Sequence, residues 1–121
     1  MKNQTYRMTM LFDFYGELLT PRQKEFFDLY YNEDLSLAEI AENNGITRQG
    51  VRDVIVRAEA AMQEVEDKTG IIRRFEAQRP HLDAIESAAA EIATTNDRRY
   101  SDPRIEELTS RIRGELTALK D

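Results

Sequence analysis

The chain has 121 residues and a mass of 14.1 kDa, one domain's worth of sequence with room for an appendage but not for two large cores. Hydrophobic residues make up 40% and charged residues 33%, a balance that excludes wholesale disorder. Twenty-three acids against 17 bases give a net charge of -6, so indiscriminate coating of nucleic acid or anionic membrane is excluded and any such contact must use a local patch.

The absence of cysteine removes disulfides, thiolate metal sites and cysteine nucleophiles, and it fits a reducing compartment. Lys2 and Arg7 precede an apolar stretch that Asp13 interrupts, with no small-residue cleavage site after it, so the N-terminus does not read as a secretory signal. No apolar run approaches the roughly 18 to 20 residues of a spanning helix. The expectation is a soluble, cytoplasmic protein without membrane insertion.

The periodicity predicts an all-α fold, because no window alternates apolar and polar residues cleanly enough for a strand. A first helix is expected from about Tyr6 to Leu18, with Met8, Leu11, Phe12, Tyr15, Leu18 and Leu19 on its core face. Thr20-Pro21-Arg22-Gln23 then combines an N-cap, a first-turn proline and a capping-box glutamine, opening a helix that ends near Tyr31. Ser36-Leu37-Ala38-Glu39 is a second capping box, and its short helix must stop at Asn43-Asn44-Gly45, where the glycine supplies a left-handed turn residue. Thr47 can cap a longer helix to about Lys68. Beyond Thr69-Gly70, Ile71, Phe75, Leu82, Ile85, Ala89 and Ile92 form a near-heptad stripe, with Pro80 as a kink or a restart. A polar connection over Thr94 to Arg99 leads to Asp102 as a cap and Pro103 as the start of a last helix.

The segment from Leu37 to Val54 fits a helix-turn-helix, with Ala41 small at the helix crossing, Gly45 in the turn, and Ile40, Ile46, Val51 and Val54 in the shared core. The chain therefore divides into a helical domain over 1–69, holding the helix-turn-helix at about 36–67, and a C-terminal pair of helices over 70–121. The candidate nucleic-acid contacts are Thr47, Arg48, Gln49 and Arg52 at the start of the second helix. Arginine forks to guanine and glutamine pairs with adenine, and Arg57 lies one further turn along for a phosphate. Against this, residues 1–68 carry 13 acids and 8 bases, with Asp53 and Glu59 close to the contact face.

Leu19-Thr20-Pro21-Arg22-Gln23, the run from Asp34 to Ala41 and Ile46-Thr47-Arg48-Gln49-Gly50-Val51 resemble the sigma-factor region that reads the -35 promoter element. The opening from Met8 to Gln23, followed by Tyr30-Tyr31, resembles the YlxM family of small bacterial proteins, densely over residues 6–66 and thinly afterwards. The resemblance implies a sigma-region-4-like helix-turn-helix bundle, encoded beside signal recognition particle genes and proposed on that ground to assist or regulate that pathway. Family members often carry an aromatic residue where this chain has Arg52, and alanine where it has Gly50.

No catalytic constellation is present in the sequence. The five glycines at 16, 45, 50, 70 and 114 form no phosphate-binding loop, no serine lies in a nucleophile elbow, and no cofactor is expected. His81, the single histidine, follows Pro80 at an expected helix start and makes no metal site without other ligands. Glu106-Glu107 and Glu64, Glu66, Asp67 read as solvated faces. The concentration of Phe12, Phe14, Tyr15, Phe26, Phe27, Tyr30 and Tyr31 reads as core. The C-terminal seams at Leu82, Ile85, Ala89, Ile92, Ile105, Leu108, Ile112 and Leu116 either dimerise or fold back on the N-terminal helices. The expected partners are thus DNA or RNA, a signal recognition particle component, and a second copy of the chain. The alternative function is an adaptor that binds the particle's GTPase or RNA without reading DNA.

Overall fold

The structure, a computed structural model, describes residues 5–120; Lys2, weighed above in reading the N-terminus, lies outside them. Among the described residues the regular structure is entirely helical. The chain forms two compact units, residues 1–72 and 73–121.

The first unit holds α1 (Thr5–Tyr15), a 3₁₀ turn (Gly16–Leu18), α2 (Pro21–Tyr31), α3 (Leu37–Asn44) and α4 (Arg48–Thr69). Local chemistry sets each boundary. Thr20 accepts from the Gln23 amide nitrogen at 3.2 Å while its own N–H donates to the Gln23 side chain at 3.0 Å, closing the capping box ahead of Pro21. Ser36 and Glu39 repeat this with two 3.1 Å bonds, and the two bonds to Ser36 hold the Glu39 carboxyl below its usual value. Gly45 and Gly70 end α3 and α4 at φ of 66° and 63°, a left-handed conformation that costs a Cβ-bearing residue about 1 kcal/mol or more.

Every α4 residue from Val51 through Ile55, Ala58 and Met62 to Glu66 that falls on the inward stripe is buried. This stripe packs with Leu11 of α1, Phe26 and Phe27 of α2 and Ile40 of α3, all of them almost wholly inaccessible. Phe12 stacks on Phe27 with centroids 4.9 Å apart, and Tyr31 tilts against Phe27 at 4.6 Å. The aromatic concentration is core, as expected, except for the exposed Phe14. Leu18 also departs from the expected stripe, at 68% exposed. The α-helix stops at Tyr15, and the tighter 3₁₀ turn changes the angular phase, so Leu18 swings outward while Leu19 stays buried.

Glu66 corrects the sequence reading. It is buried rather than solvated, and its carboxylate accepts from the Tyr15 hydroxyl at 2.6 Å and from the Ile72 backbone N–H at 2.9 Å. That second bond satisfies an orphan donor in the first turn of the next helix, so Glu66 serves as its cap from the preceding element. Burial first, then the bond to Glu66, raises the Tyr15 phenol above its usual 10.0. Glu64 and Asp67 are exposed.

Helix α5 (Ile71–Thr95), all but its first two residues in the second unit, passes unbroken through Pro80, so there is no restart there and His81 is an exposed residue within the helix, not a helix start. The expected polar connection is a π turn, Asn96–Tyr100. Its Asn96 is buried and grips Asp102 twice, donating to the carbonyl and accepting from the N–H, each at 2.9 Å. Asp102 caps α6 (Pro103–Lys120) by accepting from the Arg104 N–H at 2.8 Å. At the far end Lys120 bridges Asp83 at 2.6 Å and Glu86 at 2.8 Å, which fixes α5 and α6 as an antiparallel hairpin. Those contacts lower the Asp83 carboxyl and raise the Lys120 ammonium. Ala89 and Leu116, grouped at the sequence level with the dimer seam, are buried inside the hairpin. Leu82 and Ile105 are half-buried, while Ile85, Ile92, Leu108 and Ile112 are exposed.

Candidate nucleic-acid interface

The start of α4 is positioned by three devices that act within eight residues. The Asn44 amide donates to the Ile40 carbonyl at 2.8 Å, Gly45 reverses the chain, and the Ile46 N–H returns to the Ala41 carbonyl at 3.1 Å. Together these satisfy the C-terminal carbonyls of α3. Ile40, Ala41 and Val51 are buried where α3 and α4 meet, with Ile46 and Val54 packed against them. The geometry is a helix, a tight glycine turn and a second helix on one shared core.

Thr47 is exposed and its hydroxyl caps α4 by accepting from the Gly50 N–H at 2.9 Å, which leaves its O–H free to donate. Gly50 fits that role: a Cβ there would stand 3.2 Å from the Thr47 hydroxyl oxygen. Arg48, Gln49 and Arg52 are exposed and share one arc, because successive residues turn by about 100°. The same rotation carries Arg57 about 140° beyond Arg52, so it is exposed but is not brought together with the other three. Gln49 donates its amide to Asp53 at 2.9 Å. Pairing with a base would require that bond to be exchanged.

One residue of this arc was missed by sequence reasoning. Val56 is 40% exposed and lies one turn beyond Arg52, outside the buried stripe of Val51, Ile55, Ala58 and Met62. The signal was available, since a valine off the i, i+4, i+7 pattern has no place in the core. The arc therefore offers two guanidinium groups, an amide, a carboxylate and an apolar spot. Among the described residues no cluster of histidine, cysteine, aspartate or glutamate could hold a metal ion, and no helix is long and apolar enough to cross a membrane.

The elements and their turn define a helix-turn-helix protein built on an all-α bundle. Comparison with known proteins agrees at family level. The profile of UPF0122, described as "Putative helix-turn-helix protein, YlxM / p13 like", matches residues 2–100, and the chain belongs to that family. A UPF0122 protein of Thermoanaerobacter sp. (strain X514) is 41% identical over 112 residues, covering 93% of this chain and 92% of the relative. Those of Halalkalibacterium halodurans and Symbiobacterium thermophilum are 41% and 48% identical, covering 80% and 68% of this chain and 89% and 77% of the relatives.

Proposed function

We propose that the chain is a regulatory protein that contacts nucleic acid through the first two turns of α4. The observation that carries this reading is the exposed arc of Arg48, Gln49 and Arg52, held on a helix whose opposite face is locked into the core at Val51 and Ile55. Arg48 and Arg52 supply guanine or phosphate contacts, Val56 offers an apolar surface to a thymine methyl, and Arg57 adds a phosphate contact only where the backbone wraps further around the helix. Few phosphates are engaged, so the slope of log affinity against log salt should be shallow, at ~0.9 per contact on duplex DNA. Selection from a random duplex and RNA pool, followed by salt titration of the winners, tests this. Arg48→Ala with Arg52→Ala should abolish selection, and binding that survives the pair of changes overturns the assignment of this helix.

The resemblance to YlxM proteins, encoded beside signal recognition particle genes, supports a cytoplasmic role in that pathway, with the particle's RNA as the nucleic-acid ligand. The charge of residues 1–68, with 13 acids against 8 bases, also favours a second reading, an adaptor that docks on a basic protein or ribonucleoprotein surface. Calorimetry against the particle's RNA, its GTPase and the assembled particle separates the two. Heat with the GTPase alone supports the adaptor, whereas heat with RNA that vanishes in the Arg48→Ala, Arg52→Ala variant supports the nucleic-acid reading.

A further inference from the structure

Each helix of the α5–α6 hairpin presents two adjacent seams, and the hairpin covers only one of them, a mixed seam of apolar and polar residues. Ala89 of α5 and Asn96, the first residue of the π turn seven positions on, are buried, as are Thr109 and Leu116 of α6, also seven apart. The adjacent seam is open: Ile85 and Ile92 of α5 are each 50% exposed, and Leu108, Ile112 and Leu119 of α6 are 38%, 42% and 62% exposed. These side chains border a groove holding two pockets of about 380 and 370 Å³. Ile85 lines the first with Leu108, Ile112 and Leu119, and Ile92 lines the second with Ile105 and Tyr100. Two adjacent heptad-spaced seams per helix are what a four-helix bundle requires, because each helix there meets two neighbours.

We propose that this groove is covered by the same groove of a second copy, so that two hairpins form an intermolecular four-helix bundle. The charges beside the seam select the copy over other occupants. Arg111 and Glu115 both line the first pocket, one of each sign, and Glu91 lines the second, so the first pocket pairs its charges internally and the face carries no concentrated charge of one sign. It is complementary to itself. Antiparallel pairing of α6 with α6 about residue 113 sets Arg111 of each copy against Glu115 of the other. The same register brings Leu108 opposite Leu119 within one residue and leaves the two Ile112 side chains beside the axis. This symmetric pattern, in which one patch meets its own image, is the isologous contact of a two-fold dimer. The area is of the right order: 18 residues of α6 at 1.5 Å each and two helix widths give a projected face of roughly 27 by 20 Å. That approaches the ~600 Å² per partner at the lower end of specific interfaces.

Light scattering on a sizing column with the full chain tests the proposal, and it is independent of what α4 binds. The unaltered chain at micromolar concentration should give twice 14.1 kDa; a mass of one chain overturns the proposal. Ile85→Glu with Ile112→Glu should give the single-chain mass while far-UV circular dichroism of residues 1–72 is retained, and a persisting dimer overturns the assignment of this face. The register is tested by charge exchange. Arg111→Glu and Glu115→Arg should each raise the dimer dissociation constant roughly tenfold, through two lost pairs and new repulsion. The double variant should restore it, and failure to restore it overturns the antiparallel register.

Discussion

At the level of single residues, the most consequential side chain is one whose role its neighbours in sequence conceal. Glu66 sits in an acidic run beside the exposed Glu64 and Asp67, yet it continues the stripe of Val51, Ile55, Ala58 and Met62 and is buried against Tyr15 and the Ile72 N–H. The stripe was legible; the partner was not, because Tyr15 lies 51 residues away and no local rule links them. Glu66→Ala should destabilise the chain by about 2 kcal/mol, since the Tyr15 hydroxyl and the Ile72 N–H both lose their carboxylate acceptor in a buried setting, whereas Glu66→Gln, which keeps an acceptor, should cost about half as much. Urea unfolding midpoints with unchanged slopes would show it. The phenols give a matching pH prediction. Burial first, and then hydrogen bonds to Glu66 and Glu59, raise Tyr15 and Tyr31 above the usual 10.0, so the folded state favours the neutral phenol. That contribution is fully present below pH 10 and is lost as pH rises through the folded-state values. The melting temperature should therefore hold steady on approaching pH 10 and fall above it, and Tyr15→Phe should flatten part of that fall.

Helix boundaries were the most legible part of the chain, because capping chemistry is local. Thr20, Ser36, Thr47 and Asp102 each accept the N–H bond that their sequence context implies, and Gly45 and Gly70 take the left-handed turns. What escaped the reading were departures from the α-helical period. The 3₁₀ turn at Gly16–Leu18 re-aimed Leu18, and the π turn at Asn96–Tyr100 replaced a loop, in each case because hydrogen-bond register, not composition, decides. Of the two readings of Pro80, a kink or a restart, the restart is excluded, because a long helix can forgo one N–H bond when both flanks hold. The candidate contact face was legible at Arg48, Gln49 and Arg52 and illegible at Val56, whose position only the core stripe reveals. Thr47→Ala should remove the cap of α4 at a cost of about 1 kcal/mol. Thr47→Ser should keep it, as thermal unfolding of the two variants would show. Gly50→Ala should be stabilising by about 0.5 kcal/mol. The gain in helix propensity is close to 1 kcal/mol, offset in part by the few tenths of an ångström that the Thr47 hydroxyl must yield.

At the scale of the whole molecule, stability is unevenly divided, and the division makes a prediction about each half. The core cluster, from Met8 to Ile72, lies wholly within residues 1–72 and contains Phe26, Phe27, Leu11, Ile40, Ile55, Met62 and Val51 among its fully buried members. At roughly 1.5 to 3 kcal/mol per large apolar side chain, that cluster is enough to carry a domain of this size. A fragment ending at Ile72 keeps Glu66 bonded to the Ile72 N–H and should unfold cooperatively as a monomer. Among the described residues the hairpin beyond it buries Ala89, Leu116, Asn96 and Thr109, and an isolated helical pair with so little covered surface is marginal in water. Residues 73–121 alone should therefore be poorly helical when dilute and should gain helix as concentration rises, because the apolar seam at Ile85, Ile92, Leu108 and Ile112 is covered only on association. Circular dichroism at 222 nm over a hundredfold dilution series measures this directly. A fragment 73–121 that stays fully helical and monomeric at every concentration would show that the hairpin is self-sufficient, and that its open seam is not what holds it together.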